Sequence, residues 1–291
     1  MKKPALILLI FALALSAMFA QRRGRGGYRG GYGGESWISE DTKTAREVPT
    51  HSTGTPVWTN APGFEKDVWT FVRIKRDRAP YSSGGSWTTD APDSDLNLSF
   101  RLQQMTSMKT SPDGRFLRLT EPELLDYPFI YMVEPGSLSL TEPEIAALKK
   151  YLLNGGFLWL DDFWGEAEWA GMAGVMKQVF PERDFVDVPL DHPIYHGVFE
   201  IKSKGQIPNV YLGMQSQYDP EHRTWEREDA REVHHRAIYD DKGRMMVFAT
   251  HNTDNGDGWE REGENDYYFH KFSENIAYPL AINVIFHVMT H

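Results

Sequence analysis

NGGFLWLDDFWGEAEWAG, residues 154–171, places an unbroken apolar run between a glycine pair and two adjacent aspartates. The run Phe157, Leu158, Trp159, Leu160 offers no polar face to water. A strand apolar on both sides belongs inside a parallel sheet covered by helices. Upstream, Ile145, Leu148 and Leu152 form one helical stripe that stops at Gly155 and Gly156. Downstream of Gly165, Trp169, Met172, Met176 and Val179 mark another amphipathic helix, whose methionine and aromatic stripe is read as core packing. The order helix, strand, helix makes Asp161 and Asp162 the residues at a strand's carboxyl end. In open parallel sheets ligands bind just beyond those ends. Two readings of the pair stay open: it turns the chain into the next helix, or it belongs to a site on the rim.

The same style of strand recurs. VWTFVRIKR (68–76), FLRLT (116–120), FIYMV (129–133) and FVDVP (185–189) are rich in β-branched and aromatic residues. RAIYDDKGRMMVFAT (236–250) reads as a hairpin turning at 240–243. LTEPE occurs at 119–123 and again at 140–144, giving Thr120 with Glu123, and Thr141 with Glu144, the spacing of a capping box. Each copy is expected to start a helix. SGGSWTTDAPDSD (83–95) is a loop ending in Asp and Ser caps for a helix that carries Leu98, Leu102 and Met105 on one face. Residues 203–233 read as an irregular polar excursion. Ile276, Leu280, Val284 and His287 mark a closing helix, with Pro279 near its start or at a kink. Alternating strands and helices predict a doubly wound α/β domain with a mainly parallel sheet.

The chain of 291 residues is 41% hydrophobic and 13% aromatic, enough for one sizeable core. A formal charge of −10 argues against broad attraction to nucleic acid or anionic lipid, and no nucleic-acid partner is expected. Residues 1–20 carry Lys2 and Lys3, an apolar run and small residues at the end, the layout of a secretory signal peptide. An uncleaved membrane anchor is the alternative, and membrane contact is expected only in that case. Residues 21–66 form a Gly/Arg/Tyr-rich spacer and extended arm, and 67–291 the α/β domain. The chain is accordingly expected in the periplasm or outside the cell. It has no cysteine, which removes disulfides, thiolate metal sites and any cysteine nucleophile.

The residues just past each predicted strand are polar: Arg76 and Asp77, then Glu134, then Asp161 and Asp162, then His251, Asn252 and Asp254. HNTDNGDGWE (251–260) reads as a tight loop in which Asp254, Asp257 and Glu260 could hold a divalent cation such as calcium, although Asx-turns account for the same letters. Trp164 and Trp259, read as loop residues, are candidates for stacking on a sugar ring. His192 and His196 are separated by Pro193, so one helix does not present both to a zinc ion. No nucleophile elbow, phosphate loop or dinucleotide fingerprint is present.

The phrases DYPFIYMVEPGSLSLTEPEIAALKKYLLNGGFLWLDDFWGEAEWAG, VFPERDFVDVPLDHPIYH and HNTDNGDGWE, in that order, resemble the domain-of-unknown-function family numbered 4159 over roughly residues 67–290. That resemblance implies a flavodoxin-like three-layer sandwich similar to the class I glutamine amidotransferases, in exported or membrane-attached proteins of unassigned activity. The amidotransferase cysteine has no counterpart here. His251 stands at a plausible counterpart of that superfamily's histidine, and Tyr131–Gly136 departs from members with a glycine-histidine-glycine segment.

These readings lead to an exported module that binds a small molecule, a glycan or an envelope protein, or that serves envelope assembly. Glu134, Asp161, Asp162, Trp164, His251, Asn252, Asp254 and Trp259 are its expected ligand contacts. The alternative is a hydrolase acting on an envelope glycan or peptide, with Asp161, Asp162 and His251 as catalytic groups and a divalent ion as helper.

Overall fold

A computed structural model describes residues 38–51, 54–63, 67–77 and 86–291, all within the unit Glu35–His291. The expected signal peptide and Gly/Arg/Tyr-rich spacer lie outside the described residues. Strands β1 (Val72–Lys75), β2 (Arg115–Arg118), β3 (Phe129–Val133), β4 (Phe157–Asp161), β5 (Val186–Asp187), β6 (His234–Tyr239) and β7 (Met245–His251) form one sheet in the order β2-β1-β3-β4-β7-β6-β5. Strands β2, β1, β3, β4 and β7 are parallel neighbours, while β6 joins β7 and β5 antiparallel. The parallel strands, taken in chain order, follow the 2-1-3-4-5 pattern of flavodoxin-like sheets, with the reversal between β1 and β3.

The apolar strands conceal an alternation. In β3 and β4, Phe129, Tyr131, Phe157 and Trp159 enter an aromatic layer, whereas Ile130, Met132, Leu158 and Leu160 enter an aliphatic one. Period-two geometry sends successive side chains to opposite faces, so the two layers are read from alternate letters. Helices α1 (Asp93–Met105), α5 (Asn255–Glu260) and α6 (Tyr278–Thr290) cover the aromatic side through Leu98, Trp259 and Leu280. Helices α2 (Glu142–Leu153) and α3 (Gly165–Val179) cover the aliphatic side through Leu148, Leu152, Met172 and Met176. Each such fully buried side chain contributes about 1.5–3 kcal/mol. Among the described residues no helix is long and apolar enough to cross a membrane.

Only the second LTEPE starts an α-helix. Thr141 and Glu144 form the expected capping box there, with Glu144 Oε2 accepting from the Thr141 N–H at 2.8 Å, and the helix ends before Gly155 at φ 106°. The first copy gives a 3₁₀ turn, Pro122–Asp126, because Glu123 binds Arg115 through two hydrogen bonds of 2.8 and 2.6 Å, and β3 begins at Phe129. Three other expectations are corrected. Helix α1 follows Pro92 and has no side-chain cap, and its Met105 is exposed. The 203–233 excursion contains a helix, α4 (Val210–Ser216), because Asn209 Oδ1 accepts from the Leu212 N–H at 3.0 Å. Residues 255–260 are helical, capped by Asp254, which accepts from the Asp257 N–H at 2.8 Å. Pro279 lies in the first turn of α6 and follows wide π-helical turns over Phe269–Ala277. The 240–243 hairpin turn forms as expected.

The described part of the arm runs along the β2 side of the sheet. The Phe116 N–H donates to the Lys43 carbonyl at 2.8 Å, and Ile38 and Ala45 pack with Trp87, Ala91, Leu96 and Phe116. The arm thereby supplies a partner to an edge strand.

Candidate functional site

The rim beyond the carboxyl ends of the parallel strands is built from unusual backbone. Of the five non-glycine residues with positive φ among the described residues, four lie here: Asp90 (62°), Glu134 (48°), Asp162 (56°) and Asn252 (64°). Glu134 follows β3, Asp162 follows β4 and Asn252 follows β7. Asp90 lies in the connection from β1 to α1. Left-handed backbone at a strand's end re-aims the next side chain, and such strain concentrates where a site is being held.

The two adjacent aspartates part company at this turn. Asp161 keeps the register of Phe157 and Trp159 and reaches the aromatic side. There it accepts five hydrogen bonds, from Tyr131 Oη (2.8 Å), Thr250 Oγ1 (2.5 Å), Asn255 Nδ2 (2.8 Å) and the N–H groups of Asn255 (3.0 Å) and Gly256 (3.2 Å). Burial pushes its carboxyl above the usual range, against the pull of those donors. A carboxylate so enclosed ties β4 to β7 and α5; it has no oxygen left for a ligand.

Asp162 turns to a second environment. Its Oδ1 accepts from Trp164 Nε1 at 2.9 Å. An oxygen from each of Asp90, Asp162 and Asp254 lies within 4.8 Å of the other two, and an oxygen from each of Asp90, Asp257 and Glu260 forms a second such group. Glu134 stands beside them: its Oε2 accepts from the Ser86 N–H at 2.5 Å and from Thr89 Oγ1 at 2.8 Å. Burial, then the carboxylates around it, pushes each of Asp90, Asp162 and Asp254 well above the ordinary range. Burial likewise raises Glu134. The structure therefore brings together Glu134, Asp162 and Asp254. It divides the expected set of Asp254, Asp257 and Glu260 into two groups that share Asp90.

His251 is not part of this cluster. Thr250 faces Asp161 and the aromatic layer, so period two sends His251 to the other side of the sheet. Its ring lies 4.9 Å from that of Phe163 and 5.3 Å from that of Trp169, centroid to centroid. Nε2–H donates to the Gly165 carbonyl at 3.0 Å, and Nδ1 accepts from Arg236 Nη1 at 3.2 Å. Burial lowers its pKa to about 4, so the ring is neutral at pH 7. Asn252 spans its neighbourhood, accepting from the Gly165 N–H at 2.8 Å and donating to the Glu232 carbonyl at 2.7 Å.

The two tryptophans expected to stand open are closed in. Trp259 is fully buried, on the α5 face turned to the core, 5.7 Å from the Tyr131 ring and 5.4 Å from that of Trp159. Trp164 is 3% exposed and serves Asp162 through its indole nitrogen. Neither presents a ring face for a sugar. Arg76, beyond β1, donates to the Val133 carbonyl at 3.1 Å and so braces the turn at Glu134, while Asp77 is exposed and pairs with Arg118 at 3.4 Å.

Sequence reasoning missed Asp90, the residue common to both acidic groups. Its signal was a polar loop, TTDAPDSD, that leaves β1 on the rim side of the sheet. Gly256 accounts for how close it comes: a Cβ there would lie 2.0 Å from Asp90 Oδ2.

No curated protein matches the chain. The model of a domain of unknown function, DUF4159, matches residues 70–289, which takes in every strand and all but the last residue of the closing helix, and the chain belongs to that family.

Proposed function

We propose that the chain is an exported binding module that holds a small polar ligand, a sugar or an amine-bearing envelope fragment, on the acidic rim. The observation that carries this reading is the gathering of Glu134, Asp162, Asp90 and Asp254 beyond the strand ends. These residues come from four separate connections, and β1 and β3 flank the reversal in strand order, where open sheets take their ligands. Export is supported by the pattern of residues 1–20. The absence of cysteine from the sequence excludes amidotransferase chemistry by a thiolate. The hydrolase reading draws no support from His251, whose ring contacts Phe163 and Trp169 on the opposite face of the sheet.

The test is a thermal-shift screen of the purified chain against envelope sugars, amino sugars and diamines, with and without divalent ions. A ligand that binds only the folded state raises the melting temperature. Glu134→Gln should weaken the response tenfold or more, since it removes a rim charge while keeping an acceptor for Ser86 and Thr89. If no compound shifts the wild-type chain under either condition, the rim is not a ligand site and the reading moves to protein assembly.

A further inference from the structure

We infer that Asp90, Asp162 and Asp254 form a binding site for a hard divalent cation, with calcium, magnesium and manganese as the class. This rests on the reading of the rim as a ligand site and supplies its recognition element.

The geometry meets the requirement for oxygen coordination. The three carboxylate oxygens lie within 4.8 Å of one another, the spacing that metal–oxygen bonds of about 2.1–2.5 Å allow across one ion. Asp90, Asp162 and Asp254 are 9%, 8% and 5% exposed, so an ion held among them is largely removed from bulk water. No imidazole or thiolate belongs to the group, which favours hard cations over zinc or copper.

A second observation points the same way. Asp90 Oδ2 is a buried acceptor without a hydrogen-bond partner. Such an oxygen destabilises the fold when nothing satisfies it. It belongs to the one carboxylate present in both acidic groups. Asn255 Oδ1, adjacent in sequence to Asp254 and fully buried, is likewise an acceptor with no donor.

Charge decides which of the two groups takes the ion. Arg261 lies 2.8 Å from Glu260 and 3.7 Å from Asp257, so the second group already has its cation. Among the described residues no lysine or arginine makes an ion pair with Asp90, Asp162 or Asp254. Arg73 and Arg261 act on Asp90 only through space, and Arg73 is held by Asp95, Ser94 and the carbonyls of Trp87 and Thr89. A divalent ion is the missing positive charge.

The full chain, stripped with chelator, is the material for the test. Millimolar calcium, magnesium and manganese are added singly, and the melting temperature is expected to rise by about 5 °C or more near 100 times Kd for at least one. Terbium is the second probe. Trp164 touches Asp162 directly, so excitation of the indole should sensitise terbium emission that calcium displaces. Asp162→Asn and Asp254→Asn keep the hydrogen bonds to Trp164 and Asp257 and should lose both responses. If these variants do not fold, Trp164→Phe should lose the emission and keep the calcium shift. Neither a shift nor emission in the wild-type chain overturns the inference, as does full ion binding by both asparagine variants. A sugar or amine that binds with chelator present would sink the ion site and leave the binding module standing. Ion binding with no organic ligand would do the reverse.

Discussion

Two buried charged regions lie on the same side of the sheet and solve the problem of desolvation in opposite ways. Around β1, Arg73 and Asp95 are fully buried and matched: Nε and Nη2 reach the carboxylate at 3.1 and 2.5 Å, and the remaining donors reach Ser94 and the carbonyls of Trp87 and Thr89. The guanidinium also lies 5.3 Å from the Tyr131 ring centroid. Burial alone would lower the Arg73 pKa, and Asp95 more than reverses it. On the rim, Asp90, Asp162 and Asp254 are almost as buried, and among the described residues none of them makes an ion pair with a lysine or arginine. A structural cluster satisfies its own charge. A cluster that does not is arranged for something that arrives from outside.

The largest expected effect comes from making the first region resemble the second. Arg73→Met keeps the unbranched stem and removes the guanidinium, leaving Asp95 without its ion-pair partner and two carbonyls without a donor. Breaking one half of a buried pair costs about 3–5 kcal/mol. Urea unfolding should show that loss, or the variant should fail to accumulate. A loss below about 1 kcal/mol would mean that the compensated pair is no tighter than a surface one, and the contrast would fail.

A smaller effect is expected within the tandem aspartates. Asp161 accepts five hydrogen bonds, whereas Asp162 accepts one from Trp164. Asp161→Asn turns an amide group toward donors and leaves at least one pair unsatisfied, at a cost of about 2–3 kcal/mol. Asp162→Asn, without ion, should leave stability equal or slightly higher, because it replaces a buried acid among other acids with a neutral amide that keeps the bond to Trp164. Equal losses at the two positions would erase the distinction between them.

That distinction was only half legible in the sequence. Phe157–Leu160 declared a buried parallel strand, and the same letters, taken alternately, place Asp161 in the aromatic layer with Phe157 and Trp159. The left-handed backbone at Asp162 has no such signature, since any residue before Phe163 could have continued the chain. His251 failed for the opposite reason. The strand was recognised, but the face it presents depends on whether Thr250 or His251 meets Asp161, and that is settled by register against β4. Trp259 looked exposed because its neighbours Asp257, Gly258 and Glu260 are polar or small. A short helix capped by Asp254 rotates it into the core, and the capping bond is local while the burial is not. Asp90 was hidden by distance along the chain: contacts closed by the fold, not spacing, bring it to Asp162.

The smallest effect sharpens the comparison through pH. Burial and neighbouring acids raise Asp90, Asp162 and Asp254 well above their usual values, and push Glu260 up to about 10. Their unfolded counterparts ionise near pH 4. The folded chain thus retains protons that the unfolded chain has released, and ion-free stability must fall as pH rises from about 4 toward those folded values. Buried His235 and His251 act in the other direction, with pKa lowered to about 3 and about 4; they cost stability only as pH falls below about 6.5. His287, lowered to about 4, and His192 and His234, also lowered by burial, behave alike. Above pH 8 these imidazoles are neutral in either state, so the raised carboxylates set the sign there. Denaturation of the chelator-stripped chain should lose about 1.4 kcal/mol per pH unit for each proton retained. The slope should flatten when a saturating divalent ion replaces those protons. Stability that rises between pH 8 and 9 without ion would show that the rim carboxylates are already compensated, and the difference between the two regions would vanish.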